Sequence, residues 1–196
     1  MANLKAIRNH IIILLTEGLS KDLTYHDLQH TLDVTAQCME IARDEQIQSP
    51  AVLEELEIAC LYHDIGFIYV YKDHEEKGCE IAREQLPGFG LTAENINNIC
   101  ALIMATKVPQ QPKNDLQKII CDADLDYFGR PDFFENSDKL RRELLAYNLI
   151  TDDHAFEERQ ISFLKSHEYF TESSRKKRTP AKLNLLNKLI AQKILK

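Results

Sequence analysis

Apolar residues recur every three or four positions along nearly all of the chain, and no stretch alternates apolar with polar residues as a half-buried strand would. A chain patterned this way must bury stripes on helices. The expected fold class is therefore all-α, a compact single-domain helical bundle rather than an up-and-down four-helix one. A first helix is expected over 4–15, ahead of Gly18. Thr24 reads as a cap, with Asp27 three residues on as its capping-box partner. The helix it opens places Leu28, Leu32, Thr35, Met39 and Ala42 on one stripe. Ser49-Pro50 is a second start signal, a cap followed by proline at the first helical position. That helix carries Leu53, Leu56, Ala59, Cys60 and His63 before Gly66 ends it. Asp73 and Glu76 resemble a further capping pair, and Thr92 opens a helix with Ile96, Ile99, Cys100 and Ile103 inward. More helices are expected over 116–125, from beyond Pro131 to 150, and from Thr151 to 165. Residues 173–179 read as a polar, basic link, with Thr179-Pro180 capping a last amphipathic helix.

At 196 residues the chain is long enough to bury a core without disulfide or metal staples. With 44% hydrophobic and 28% charged residues it has the balance of an ordered globular protein. Its formal charge of −7 argues against general nucleic-acid binding, which wants a basic surface. A small anionic substrate held by a few cations or a metal remains compatible with it. No apolar run approaches the ~20 residues of a membrane helix, and the run over 11–15 lacks a signal-peptide context. The expectation is a soluble, cytoplasmic protein. Cys38, Cys60, Cys79, Cys100 and Cys121 form no CxxC pair and lie in helix-like segments, so buried reduced thiols are expected.

Three patches set histidine or aspartate where the helical stripe calls for core. The first is Tyr25-His26-Asp27-Leu28-Gln29-His30, whose histidines, four apart, share a face if both are helical. The second is His63-Asp64, directly after Ile58-Ala59-Cys60-Leu61. The third is Asp122-Ala123-Asp124-Leu125-Asp126, of which two aspartates are expected to be caps or surface residues. A bare buried carboxylate costs several kcal/mol, so a buried aspartate needs a partner. One divalent cation would serve all three patches. His30, His63, Asp64 and Asp124 make a four-ligand set whose charge balances a 2+ ion, and mixed nitrogen and oxygen donors suit Mn, Fe, Co, Ni or Zn better than Ca. Taken singly, each of these residues is more readily a core, cap or surface residue; the combination and its order carry the signal.

The order His30, then His63-Asp64, then Asp124 on an all-α chain resembles the HD-domain metal-dependent phosphohydrolases. The local contexts YHDLQHTLDV, ACLYHDIGF and IICDADLDYFG are similar as well. The resemblance implies an HD-type helical domain over 1–170 with its motif core at 25–129, and a C-terminal segment over 171–196 packed on the same domain. It implies one bound divalent metal held by His30, His63, Asp64 and Asp124, with Asp122 the alternative to Asp124. Cyclic nucleotide phosphodiesterases carry a similar YHxxxH stretch, which implies His26 as the acid that protonates the leaving oxygen. Asp64 would also orient the attacking water. Some relatives bind a second metal through extra histidines. His74 falls in a suitable place, but the helix over 96–107 has no histidine, so a single ion is expected. Lys107, Lys72 and Arg130 are the cations considered for the phosphoryl oxygens. The implied activity is hydrolysis of a phosphomonoester or phosphodiester, of a nucleotide or related small ester. The alternatives are a di-iron oxygenase on the same fold and a non-catalytic nucleotide sensor. The amphipathic last helix would pack on the core or on a second copy.

Overall fold

Side chains that satisfy free backbone N–H groups set where most of the helices begin. The structure, a computed structural model, describes residues 3–194. Residues 1–2 and 195–196, which the sequence reading assigns to the domain and its C-terminal segment, lie outside the described residues. Among the described residues there are nine α-helices and no strand. In chain order they are α1 (Leu4–Gly18), α2 (Leu28–Asp44), α3 (Pro50–Tyr62), α4 (His74–Gln85), α5 (Ala93–Ala105), α6 (Asp115–Asp124), α7 (Phe133–Ala146), α8 (Asp153–Ser166) and α9 (Glu172–Ile194). Short 3-10 turns follow α3, α4 and α6. Asn114 caps α6 by accepting from Gln117 N at 3.0 Å, and Asp152 caps α8 from Ala155 N at 2.8 Å. Thr92 and Asn95 form the reciprocal capping box of α5.

Four starts and stops differ from the sequence expectation, each for a visible reason. The cap of α2 is Asp27, which accepts from His30 N at 2.8 Å, whereas the Thr24 hydroxyl donates to Lys139 O. Residues 24–27 are therefore outside the helix, and His26 does not share a helical face with His30. Asp73 takes a left-handed backbone, φ 58°, and makes no capping bond with its side chain; it and Glu76 hold Lys107 instead. Helix α7 stops at Ala146, and Asn148 turns the chain with φ 55°. The expected link at 173–179 is helical. Thr171 Oγ1 accepts from Ser174 N at 3.2 Å at the start of α9, so Pro180 lies inside that helix. The basic run stays at the surface, with Arg175, Lys176 and Lys177 exposed, but three of its members have partners: Arg175 donates to Tyr169 O, Lys177 pairs with Glu40, and half-buried Arg178 pairs with Asp126.

The main core joins α1 through α6 around Ile7, Ile11, Leu15, Leu56, Leu61, Ile99 and Ile120, all nearly or fully buried. A second cluster, built on Tyr25, Tyr127, Phe128, Phe133, Tyr169 and Leu186, fastens α7, α8 and α9 to the turn after α6. All five cysteines are free and buried, as the sequence implied. Helix α2 packs on both α3 and α6, which brings the three polar patches to one place.

Candidate metal centre and active site

Helix ends build the site. His30 lies in the first turn of α2, His63 is the residue that ends α3, Asp64 follows it, and Asp124 is the last residue of α6. Helix ends are where side chains from different elements can converge without a continuous helix wall between them. Gly66 makes the turn after Asp64 possible: a Cβ there would lie 2.0 Å from the His74 carbonyl oxygen. The bare glycine lets this turn press against the start of α4, which brings His74 to the cluster.

One ligand atom each from His30, His63 and Asp124 falls within 4.8 Å of the others, the spacing a single ion requires. Asp64 Oδ2 joins them, 3.1 Å from His63 Nε2 and 3.4 Å from His30 Nε2. Asp124 Oδ1 lies 3.3 Å from His30 Nε2 and 3.6 Å from His63 Nε2. Three of these buried atoms, His30 Nε2, His63 Nε2 and Asp64 Oδ2, make no hydrogen bond. Buried polar atoms rarely go without partners, so this donor set fits a divalent cation. The His63 ring is oriented for it: Nδ1–H donates to Cys60 O at 2.7 Å, which leaves the Nε2 lone pair facing inward. Burial disfavours charge on Asp64, Asp124 and His63, yet their pairing outweighs it. Asp64 is held well below the usual carboxylate range and Asp124 down to about 2, while the neighbouring carboxylates push His63 up.

His74 lies beside the cluster, its Nε2 3.5 Å from Asp64 Oδ1 and its Nδ1–H directed at Tyr71 O. Phe67 stacks on His74 with ring centroids 3.8 Å apart and on His26 at 4.4 Å. His26 is fixed by a residue the sequence reading passed over. Glu143, on α7 and fully buried, takes four donors: Tyr25 N at 2.9 Å and His26 N at 3.0 Å on one oxygen, and His26 Nδ1–H and the Tyr71 hydroxyl on the other. Burial lowers the His26 pKa, but the Glu143 charge and hydrogen bond outweigh it and the net shift is upward. Glu143 in turn is held below its ordinary value by His26 and the two backbone amides, against its burial. The only sequence signal for Glu143 was a carboxylate among Leu140, Leu144 and Leu145, and nothing local ties it to His26 across 117 residues.

Asp122 and Asp126 are neither caps nor surface residues, contrary to expectation. Asp122 accepts from Phe170 N and from the amide and hydroxyl of Thr171, and it points away from the imidazoles' partners into the C-terminal segment. Asp126 pairs with Arg178. Lys107 is held at the surface by Asp73 and Glu76, and Lys72 is exposed. Arg130 is bound by Asp33 and Asp132. It lines, with Tyr25, His30, Asp124 and Tyr127, a cavity of about 220 Å³ that opens beside two of the candidate ligands.

A family model described as HD domain matches residues 27–126, just over half of the chain. The chain belongs to the HD-domain family. HD domains bind divalent metals, and the family together with the His–His–Asp donor group supports a metal-dependent hydrolase in general terms. Solved structures agree on the fold. A predicted HD superfamily hydrolase from an uncultured Thermotogales bacterium is 22% identical, with a TM-score of 0.61 over 94% of this chain and 91% of its own. Bacillus subtilis YpgQ, in complex with ADP, is 19% identical, with a TM-score of 0.65 over 96% of this chain and 94% of its own. A Lactobacillus plantarum protein is 16% identical, with a TM-score of 0.67 over 98% and 97%. No curated protein matches the chain. Among the described residues no helix is long and apolar enough to cross a membrane.

Proposed function

We propose that this HD-domain protein is a phosphohydrolase that cleaves a phosphomonoester or phosphodiester bond of a nucleotide or related small ester. The observation that carries the reading is the convergence of the ends of α2, α3 and α6 on three unpartnered buried ligand atoms, with His26 held beside them by Glu143. His30, His63, Asp64 and Asp124 would hold one divalent ion. Such an ion supplies Lewis-acid polarisation of a phosphoryl oxygen and a bound water of lowered pKa. Asp64, with one carboxylate oxygen toward His63 and the other toward His74, would orient the attacking water. His26, kept protonated by Glu143, gives its Nε2 proton to the leaving alkoxide. Glu143 takes the opposite ring nitrogen, so Nε2 is the proton-bearing atom free to face substrate. Lys107 receives no role, because two carboxylates already hold its ammonium.

A nucleotide is the first substrate class to test, since YpgQ, similar in fold, is in complex with ADP. The experiment is product release from nucleotides, cyclic nucleotides and a chromogenic phosphodiester, with Mn²⁺ and with chelator. Turnover that needs the metal and is lost in His26→Ala supports the reading. Metal binding without turnover of any of them removes it and favours the sensor alternative, and iron-dependent oxygen uptake would favour the oxygenase.

A further inference from the structure

Two buried carboxylates flank Asp124, and neither faces the metal cluster. Asp122, fully buried, accepts from Phe170 N at 2.8 Å, Thr171 N at 2.8 Å and Thr171 Oγ1 at 2.7 Å. Asp126, 2% exposed, accepts from Arg178 Nε and Nη2, both at 2.7 Å, one on each oxygen. Between them the Tyr169 hydroxyl donates to Leu125 O at 3.3 Å. The turn over 126–129 is also pressed onto α9, where a Cβ on Gly129 would lie 2.7 Å from Arg178 O. Arg178 reaches toward Gln37 of α2, the helix that carries His30. The end of α6 is thus gripped from both sides of Asp124 through contacts that span 44 to 52 residues in sequence.

Core packing alone does not call for this. Apolar residues of similar size at buried ion-pair positions are often as stable or more so. What a bidentate carboxylate–guanidinium pair adds is fixed geometry. We infer that the Asp126–Arg178 pair, with Asp122, is a clamp through which α9 positions Asp124 for a metal ion. Arg178 is accordingly a positioning residue. This inference rests on the metal-binding reading above.

The test uses the full chain and Mn²⁺ alone, titrated to give an affinity, with Tm followed in parallel. Arg178→Ala is expected to weaken Mn²⁺ binding by about 10-fold or more, the usual effect of losing a group that orients a ligand. Arg178→Lys is expected to recover part of the loss, since a point charge can hold one Asp126 oxygen. Lys177→Ala, which removes the neighbouring α9 tether to Glu40, is expected to bind Mn²⁺ as the wild type does. If Arg178→Ala does not fold, Asp126→Asn keeps the shape and reads the same loss. Wild-type affinity in a folded Arg178→Ala or Asp126→Asn protein overturns the clamp and leaves the metal site standing. An equal loss in Lys177→Ala also overturns it, because general loosening of α9 would then be the cause. A wild-type chain that binds no Mn²⁺ overturns both readings.

Discussion

Glu143→Gln is the substitution with the richest set of consequences. The wild-type carboxylate offers two oxygens, each taking two donors. Glutamine has one such oxygen, so its amide NH₂ must face two of the four donors. Two donors stranded near burial cost about 1–3 kcal/mol each, and rotation of the Tyr71 hydroxyl relieves part of that, giving a net loss of about 2–4 kcal/mol. That is a loss a domain of ordinary stability survives at 25 °C, and it lowers Tm by about 5–15 °C for a chain of this size. The pH dependence has a definite sign. His26 has a raised folded-state pKa, so its share of the pair's stability is complete below its unfolded value and is lost as pH rises through the folded one. Glu143 has a depressed folded-state pKa, so its share is present above its unfolded value and is lost as pH falls through the folded one. The Tm deficit of the variant is therefore largest at about pH 5–6, between the two unfolded values, and narrows on either side. Activity moves in the same sense. Without the Glu143 charge His26 loses its proton at lower pH, so the alkaline limb of kcat/KM shifts down and kcat at neutral pH falls, by at most the about 10²–10⁴ that a general acid contributes. Metal-dependent hydrolysis of a chromogenic phosphodiester across pH, beside thermal melts at the same pH values, reads both. An unshifted alkaline limb with wild-type kcat would refute the assignment of His26 and Glu143, whatever the melting curve does.

Three further outcomes follow from the same geometry. Lys107→Ala is expected to keep hydrolysis within about 2-fold of wild type, since exposed ion pairs such as those with Asp73 and Glu76 contribute little; a loss of tenfold or more in steady-state kinetics would return the lysine to the chemistry. Gly66→Ala drives a Cβ onto the His74 carbonyl and should cost about 3 kcal/mol or more, seen as a lower denaturant midpoint with weaker Mn²⁺ binding. Chelator should lower Tm, because a ligand bound only by the folded state stabilises it, and added Mn²⁺ should raise Tm with its concentration; a melting curve indifferent to both would count against the site.

The fold class was legible because period-3.6 stripes need no tertiary information: Leu56 and Ile99 face the core where the pattern put them. The candidate ligands were legible for the opposite reason, as polar residues that break that pattern at His63-Asp64 and at Asp124. The details that were not legible depend on long-range partners. Thr24 and Asp27 are both good caps in isolation, and the choice between them was made by Glu143, which draws the Tyr25 and His26 amides out of the helix. The 173–179 stretch looks like a link in isolation; it is the first part of α9, and Asp126 and Glu40 supply counter-charges to Arg178 and Lys177. Asp122 and Asp126 have the same local signature as Asp124, and only the position of Thr171 and Arg178 separates clamp from candidate ligand.

The most direct measurement is metal content and Mn²⁺ affinity of the wild type beside His63→Ala/Asp64→Ala, each checked for folding and for hydrolysis of the nucleotide and phosphodiester panel. One divalent ion per wild-type chain, none in the double variant, and turnover only where the ion is bound is the predicted result. A folded wild type that binds no divalent ion, or a folded double variant that binds and turns over as the wild type does, would contradict the account at its centre.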